Sequence, residues 1–392
     1  MLVVPVLAGA KLPASKEGKT QMTRNNPPRK SRSPALLLAT VMAAGAAIAS
    51  DGQPDTDGRF PAVAGYYEFF VYLPADGPPE VAYAELSCSG ALVSEKVVLT
   101  ASHCTAFNYT EDIGIEGYSS RVWVSFDVAA TTNDFRCFLA DQDVEYSQFL
   151  TGEYECDDAA RSEPQPTFIA AAVTGRKDGV AIAHGLTHPD YLRPELRSDG
   201  RAQRATKNLQ LAPDVGVLIL EPKETDMLPT PLPMRGVGEL SRMPGLVGLP
   251  VLSVGYGFNW GKTFGSRPTA DLGPMTDLGG GSGVKRIAAV GPVTNVFANS
   301  LLPRQDVKKG DDTVCFGDSG SPLFLVRDGI VEPVISAVLS GATNWCQGSK
   351  DPYYRIDQAA AHEFVQCVID RQYDVGAACR ECSAEHYFEL CE

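Results

Sequence analysis

The chain has 392 residues, with 48 acidic against 34 basic side chains and a formal net charge of −14. That negative surplus argues against a nucleic-acid partner, since it implies no phosphate-neutralising surface, and it favours solubility. At 44% hydrophobic and 21% charged, with 37 Gly and 28 Pro, the composition is that of a globular protein with many turns.

A targeting pattern comes first. Arg24, Arg29, Lys30 and Arg32 form a basic flank before an apolar run over 34–49 that ends in small residues. This is the pattern of a secretory signal peptide, with cleavage after Ala47 or Ala49, and the run is short for a membrane span. Residues 1–49 are therefore set apart as N-terminal extension and signal peptide. No second membrane-length segment follows, so a secreted protein without stable membrane insertion after signal cleavage is expected. In an oxidising compartment its 10 cysteines read as disulfides. Cys137 and Cys156 lie in one loop-rich insertion and are expected to pair. Cys88 and Cys104 flank a histidine segment, and Cys315 and Cys346 flank a serine region. Cys367, Cys379, Cys382 and Cys391 leave two bridges of open pairing. Cys379 and Cys382 with His386 and Cys391 offer zinc-ligand types, but disulfides are the default in an exported chain, and no metal or cofactor is expected.

After a polar stretch over 51–59, short apolar runs at 63–73, 84–93, 97–100 and 122–126 predict strands. Residues 127–187 read as a long connection with solvated acidic stretches at 141–145 and 153–158 and a small apolar run at 168–173. Their carboxylates lack EF-hand spacing. Strands are predicted at 215–220, 251–254 and 285–293, with a glycine-rich surface loop over 271–283. The runs 323–326 and 334–339 form a hairpin about Asp328-Gly329. Asp357 is expected to cap a single C-terminal helix, with Ala360, Phe364 and Val368 at helical spacing, and residues 371–392 form a Cys-rich tail. Many short strands and one helix make the chain all-β.

Chemistry enters with Cys315-Phe316-Gly317-Asp318-Ser319-Gly320-Ser321-Pro322. Glycines on both sides of Ser319 permit a tight turn whose N–H groups approach a bound carbonyl. A serine there is a nucleophile only if a base takes its proton. His103, in Thr100-Ala101-Ser102-His103-Cys104, is the candidate base. The group that orients the base should be a carboxylate at the edge of a buried apolar strand. Asp214, directly before Val215-Gly216-Val217-Leu218-Ile219-Leu220, has that setting, and Asp190 in His188-Pro189-Asp190-Tyr191 is the rival. Gly317 and Ser319 would supply the oxyanion-hole N–H groups.

These segments, with Ser87-Cys88-Ser89-Gly90-Ala91-Leu92-Val93, Gly255-Tyr256-Gly257 and Tyr353-Tyr354-Arg355-Ile356, resemble the chymotrypsin/trypsin family of serine endopeptidases, in the family's order of His, Asp, Ser. The small-residue starts look most like exported bacterial members. The resemblance covers roughly residues 50–370 and implies a double six-stranded Greek-key β-barrel with the catalytic groups between the halves. It further implies a Ser319 acyl-enzyme, polypeptide substrates and protein inhibitors as candidate partners. Thr313, six residues ahead of Ser319, falls at the floor of the primary specificity pocket. Members that cleave after Lys or Arg carry aspartate there, so uncharged substrate side chains are expected. Ser340, Gly341 and Ala342 would form the pocket wall and pair with substrate backbone as an added strand. The family often has Gly at the position of Ser321 and Ala or Gly at that of Ser102; both replacements are small. In the family, Asp318 often pairs with a new Ile or Val N-terminus, which a cut after Ala47 would create at Ile48. The competing function is a catalytically silent protease-like binding protein.

Overall fold

The computed structural model describes residues 52–72, 81–105, 118–145, 147–150, 156, 161–172, 175–177, 180–183, 185–192, 213–258, 283–306, 309–341 and 351–371. The expected signal peptide, Ile48, most of the glycine-rich loop, Ala342, Cys346 and the Cys-rich tail lie outside them.

In chain order the strands are β1 Gln53–Pro54, β2 Val63–Tyr72, β3 Val81–Leu92, β4 Val97–Thr100, β5 Tyr118–Ser125, β6 Ile169–Ala170, β7 Gly175–Lys177, β8 Val180–Ala183, β9 Leu186–Thr187 and β10 Gly216–Ile219. They continue as β11 Pro250–Gly255, β12 Arg286–Val296, β13 Ser300–Pro303, β14 Pro322–Arg327, β15 Ile330–Leu339 and β16 Tyr353–Arg355. The helices are α1 Ser102–Thr105, α2 Thr132–Asp141, α3 Pro189–Leu192 and α4 Ala359–Arg371.

The last six strands close into an antiparallel barrel in the order β14-β11-β12-β13-β16-β15, with β1 added on β12. The N-terminal sheet runs β6-β5-β2-β3-β4-β10-β9 and curls into a half-barrel. Beyond β6, Ala171 bridges Leu220 at the end of β10 and the Ala172 N–H donates to the Ile219 carbonyl at 2.7 Å. In each half three consecutive strands lie side by side and the fourth returns beside the first. That is the Greek-key order, and the six principal strands follow the same order in both halves.

Alternation along the strands produces three apolar cores. Tyr66, Leu92, Val98, Val122, Val124 and Leu218 fill the N-terminal half-barrel. Val251, Val290, Leu301, Leu323, Leu325, Ala337 and Tyr353 fill the C-terminal barrel. The residues between them in sequence, such as Tyr67, Leu99, Val217, Phe324, Val338 and Tyr354, join Val254 and Ile335 in a seam that also takes up Val365 of α4. At β3 a bulge opposite Tyr66 and Tyr67 shifts the register, so Leu86 faces the seam while Cys88 faces the half-barrel interior.

The hairpin between β14 and β15 turns at Asp328 and Gly329, both at positive φ (50° and 77°), the backbone a type I′ turn requires. The insertion after β5 departs from the solvated loop expected of it. It contains α2, started by a reciprocal capping box between Thr131 and Asp134. Phe135, one turn before Leu139, packs its ring 5.2 Å from Tyr67 and 5.5 Å from Trp123. Cys137–Cys156 closes the insertion as expected. The acidic stretch that begins at Asp141 hid this helix, whose apolar residues Phe135, Cys137, Phe138 and Leu139 lie just ahead of it. Asp357 does not cap α4; its carboxylate accepts from Arg355 and from the Leu240 N–H at 2.9 Å.

Lys285, read in the sequence as the start of a strand, is fully buried and joins three segments. Its ammonium donates to the carbonyls of Phe60 (3.1 Å) and Phe126 (2.7 Å) and lies 5.7 Å from the Tyr256 ring centroid. Burial pushes its pKa down to about 8, against the charges of Asp55 and Asp127.

Candidate active site

The register of β4 and β10 assembles the first half of the site. Gly216 pairs with Thr100, so the residues just beyond this rung on either strand are neighbours. They are Asp214, ahead of β10, and His103, in the single turn α1 that follows β4. The Cys88–Cys104 disulfide ties that turn to β3.

His103 Nδ1 lies 2.9 Å from Asp214 Oδ2, and the His103 backbone N–H donates to Asp214 Oδ1 at 2.9 Å. Ser340 Oγ donates to Oδ2 at 2.6 Å. Asp214 is thus gripped by three donors, two of them from the residue it orients. With its Nδ1 proton donated to Asp214, the imidazole keeps Nε2 as a free acceptor. The His103 side chain is 24% exposed and that of Asp214 5%, so the pair is shielded while the ring edge stays reachable. Burial alone would push the His103 pKa down, but the charge and the hydrogen bond of Asp214 outweigh it, and the net shift is upward. Asp190 sits instead at the start of α3, its N–H donating to Nδ1 of His188 at 3.2 Å.

Ser319 is half-buried on the turn that enters β14. Its carbonyl accepts from the Ser89 N–H at 2.7 Å, and the Gly320 N–H donates to the Leu339 carbonyl at 2.8 Å. These bonds stitch the turn to β3 and β15. Gly320, at φ +79°, admits no side chain: a Cβ there would overlap Thr100 Oγ1 and lie 2.5 Å from the Ser89 carbonyl oxygen. The serine turn is therefore pressed against the strand end that leads into His103. Ser89 Oγ accepts from the Tyr256 N–H at 2.9 Å and donates to the Gly317 carbonyl at 2.8 Å. Asp318 turns inward and accepts from the N–H groups of Gly257 and Cys315, each at 2.8 Å.

Gly317 has φ +88°. Among the described residues, neither its N–H nor that of Ser319 donates to any acceptor. Two unused donors on one serine turn are available to a developing oxyanion. No hydrogen bond joins Ser319 Oγ to His103 among the described residues; such contacts are often long in ligand-free sites.

Thr313 is buried. The two carboxylates just before it are engaged elsewhere: Asp311 binds Arg304 through both oxygens at 2.6 and 2.7 Å, and Asp312 accepts from the Ala289 N–H at 2.8 Å. Ser340 and Gly341 follow β15 half-buried, and a Cβ on Gly341 would meet nothing within 4 Å, so the chain borders open space there. Cys315 and Cys367 are both disulfide-bonded.

Two buried polar groups near His103 have no role in the sequence reading, which takes Ser102 only as a small replacement and passes over Glu68. Ser102 is fully buried and bonds to the segment that carries Asp214. Glu68 points into the half-barrel, where Tyr66 O–H lies 3.0 Å from both Glu68 Oε1 and the Cys104 carbonyl. Burial pushes the Glu68 pKa up to about 7, and Glu85, directly opposite on β3, adds to the rise. An acidic residue inside an alternating strand was the available signal for Glu68; Ser102 gave none. The described residues include no helix long and apolar enough to cross a membrane. A scan against protein-family models and a search of curated proteins each found no match to this chain.

Proposed function

We propose that this chain is a secreted serine endopeptidase of the chymotrypsin-like kind. The observation that carries this reading is the two-point grip of Asp214 on His103, which fixes the imidazole tautomer and leaves Nε2 free beside a serine turn with two unused N–H groups. Ser319 Oγ would attack the scissile carbonyl carbon while His103 Nε2 takes its proton. The Gly317 and Ser319 N–H groups would hold the oxyanion. His103 would return the proton to the leaving amine, and water would then release the acyl group from Ser319 by the same route. A neutral floor at Thr313, with Asp311 and Asp312 occupied elsewhere, favours uncharged side chains at the cleaved residue. Two disulfides among the described residues and the signal-like leader support export.

The missing hydrogen bond between Ser319 and His103 favours a second reading, a silent protease-like binding protein. Reaction with a fluorophosphonate probe separates the two. The endopeptidase reading expects labelling of the folded protein that Ser319→Ala abolishes. A folded secreted protein that stays unlabelled overturns it.

A further inference from the structure

Ser102 stands directly before His103, and its hydroxyl is buried against the backbone on both sides of Asp214. Ser102 Oγ donates to the Val215 carbonyl at 2.7 Å and lies 3.2 Å from that of Pro213. It accepts from the His188 N–H at 3.2 Å. One turn of helix therefore holds Asp214 twice. His103 takes its carboxylate by the N–H and Nδ1, while Ser102 takes the main chain from which that carboxylate hangs.

We infer that Ser102 is a positioning residue for the Asp214–His103 pair, setting the distance and angle of the carboxylate rather than merely filling space. This rests on the serine-hydrolase reading for its catalytic consequence, but not for its geometry. The second hydroxyl of the same turn serves as a control. Thr105 Oγ1 donates to the Ser102 carbonyl at 3.1 Å and lies 2.7 Å from Thr187 Oγ1, so it fastens α1 to β9 and packs against Gly216 without a hydrogen bond to residues 213–215.

Removing the Ser102 hydroxyl strands no buried partner. The His188 N–H also donates to the Val215 carbonyl at 3.2 Å, so each keeps the other. What is lost is the clamp on the main chain around Asp214. A carboxylate that wanders from His103 gives the imidazole less of the charge and hydrogen bonding that hold its pKa up against burial.

The test compares Ser102→Ala with Thr105→Val in the folded, disulfide-bonded protein. The readouts are the NMR titration of the His103 imidazole and the rate of fluorophosphonate labelling. In Ser102→Ala the His103 midpoint should fall and labelling should slow about fivefold, the rate equivalent of one neutral hydrogen bond. In Thr105→Val the midpoint should stay at the wild-type value even if stability drops. If Ser102→Ala does not fold, Ser102→Cys, which keeps the volume with a weak donor, is read in the same way. An unchanged His103 midpoint in the Ser102 variant, or an equal fall in Thr105→Val, overturns the inference. A wild-type protein that cannot be labelled would refute the hydrolase reading alone, because the titration still decides the role of Ser102.

Discussion

Glu68→Gln provides a quantitative check on the interior of the N-terminal half-barrel. Burial pushes the Glu68 pKa up from the ordinary 4.5 to about 7 in the folded protein. Its folded pKa is raised, so between these two values the native state binds more protons than the unfolded chain. Stability from this group is present in full below pH ~4.5 and is lost as pH rises through ~7. At about 1.36 kcal/mol per unit of pKa difference, the loss is roughly 3 kcal/mol in total, and about 2.5 kcal/mol of it falls between pH 5 and 8. Glutamine keeps an oxygen to accept from Tyr66 and removes the titration. Urea unfolding of both proteins with disulfides intact, at pH 5 and pH 8, yields a double difference in which titrating groups that do not interact with Glu68 cancel, leaving Glu68 and its coupling to Glu85. The variant should gain about 2–3 kcal/mol relative to wild type on going from pH 5 to 8. A double difference within about 0.5 kcal/mol of zero, or of opposite sign, would mean that Glu68 is solvated or paired and that the half-barrel interior is not as dry as its packing implies.

Three further outcomes follow from the site and the cores. Asp214→Asn would present an amide N–H to His103 and favour the tautomer that cannot take a proton at Nε2; labelling of Ser319 should slow by about 10³–10⁴-fold with little change in the unfolding midpoint. Gly320→Ala forces a Cβ onto Thr100 Oγ1 at φ +79°, so labelling should be lost together with at least ~1 kcal/mol of stability, and a fully active alanine variant would contradict the packing of the serine turn. Phe324→Ala empties a fully buried position in the seam, 5.0 Å from the Phe60 ring, and should lower stability by about 3–5 kcal/mol in equilibrium unfolding.

Much of the fold was legible along the chain because strands advertise themselves by a period of two. The strand at Val97–Thr100 and the hairpin about Asp328 and Gly329 stand where the pattern predicted them. Cys137–Cys156 joins as its placement suggested, and Cys88 and Cys104, placed on either side of the histidine segment and read as disulfide cysteines, prove to be partners. What the pattern missed shares one cause. Helix α2 is short and runs straight into the acidic stretch at 141–145, so a linear reading takes the whole segment as loop, and its aromatic neighbours show why Phe135 and Phe138 are there. Lys285 and Glu68 look like surface residues in one dimension, because charge is read before burial. Asp357 has the residue type and place of a helix cap, yet Arg355 competes for its carboxylate and wins with a bidentate contact.

For the candidate site, the sequence alone determined which residue types are available and in what order: a histidine behind a cysteine, an aspartate ahead of an apolar strand, a serine between glycines. Those are local properties, set by turn and strand chemistry within a few residues. Tertiary structure decided which of them meet. Asp214 reaches His103 across a sequence separation of 111 only because Gly216 pairs with Thr100, and a one-residue slip would turn every side chain of β10 to the opposite face. It also decided what a small buried hydroxyl means. Ser102 looks like a neutral replacement in the chain, but burial removes its water and leaves the backbone around Asp214 as its partner, and hydrogen-bond satisfaction then turns it into a clamp.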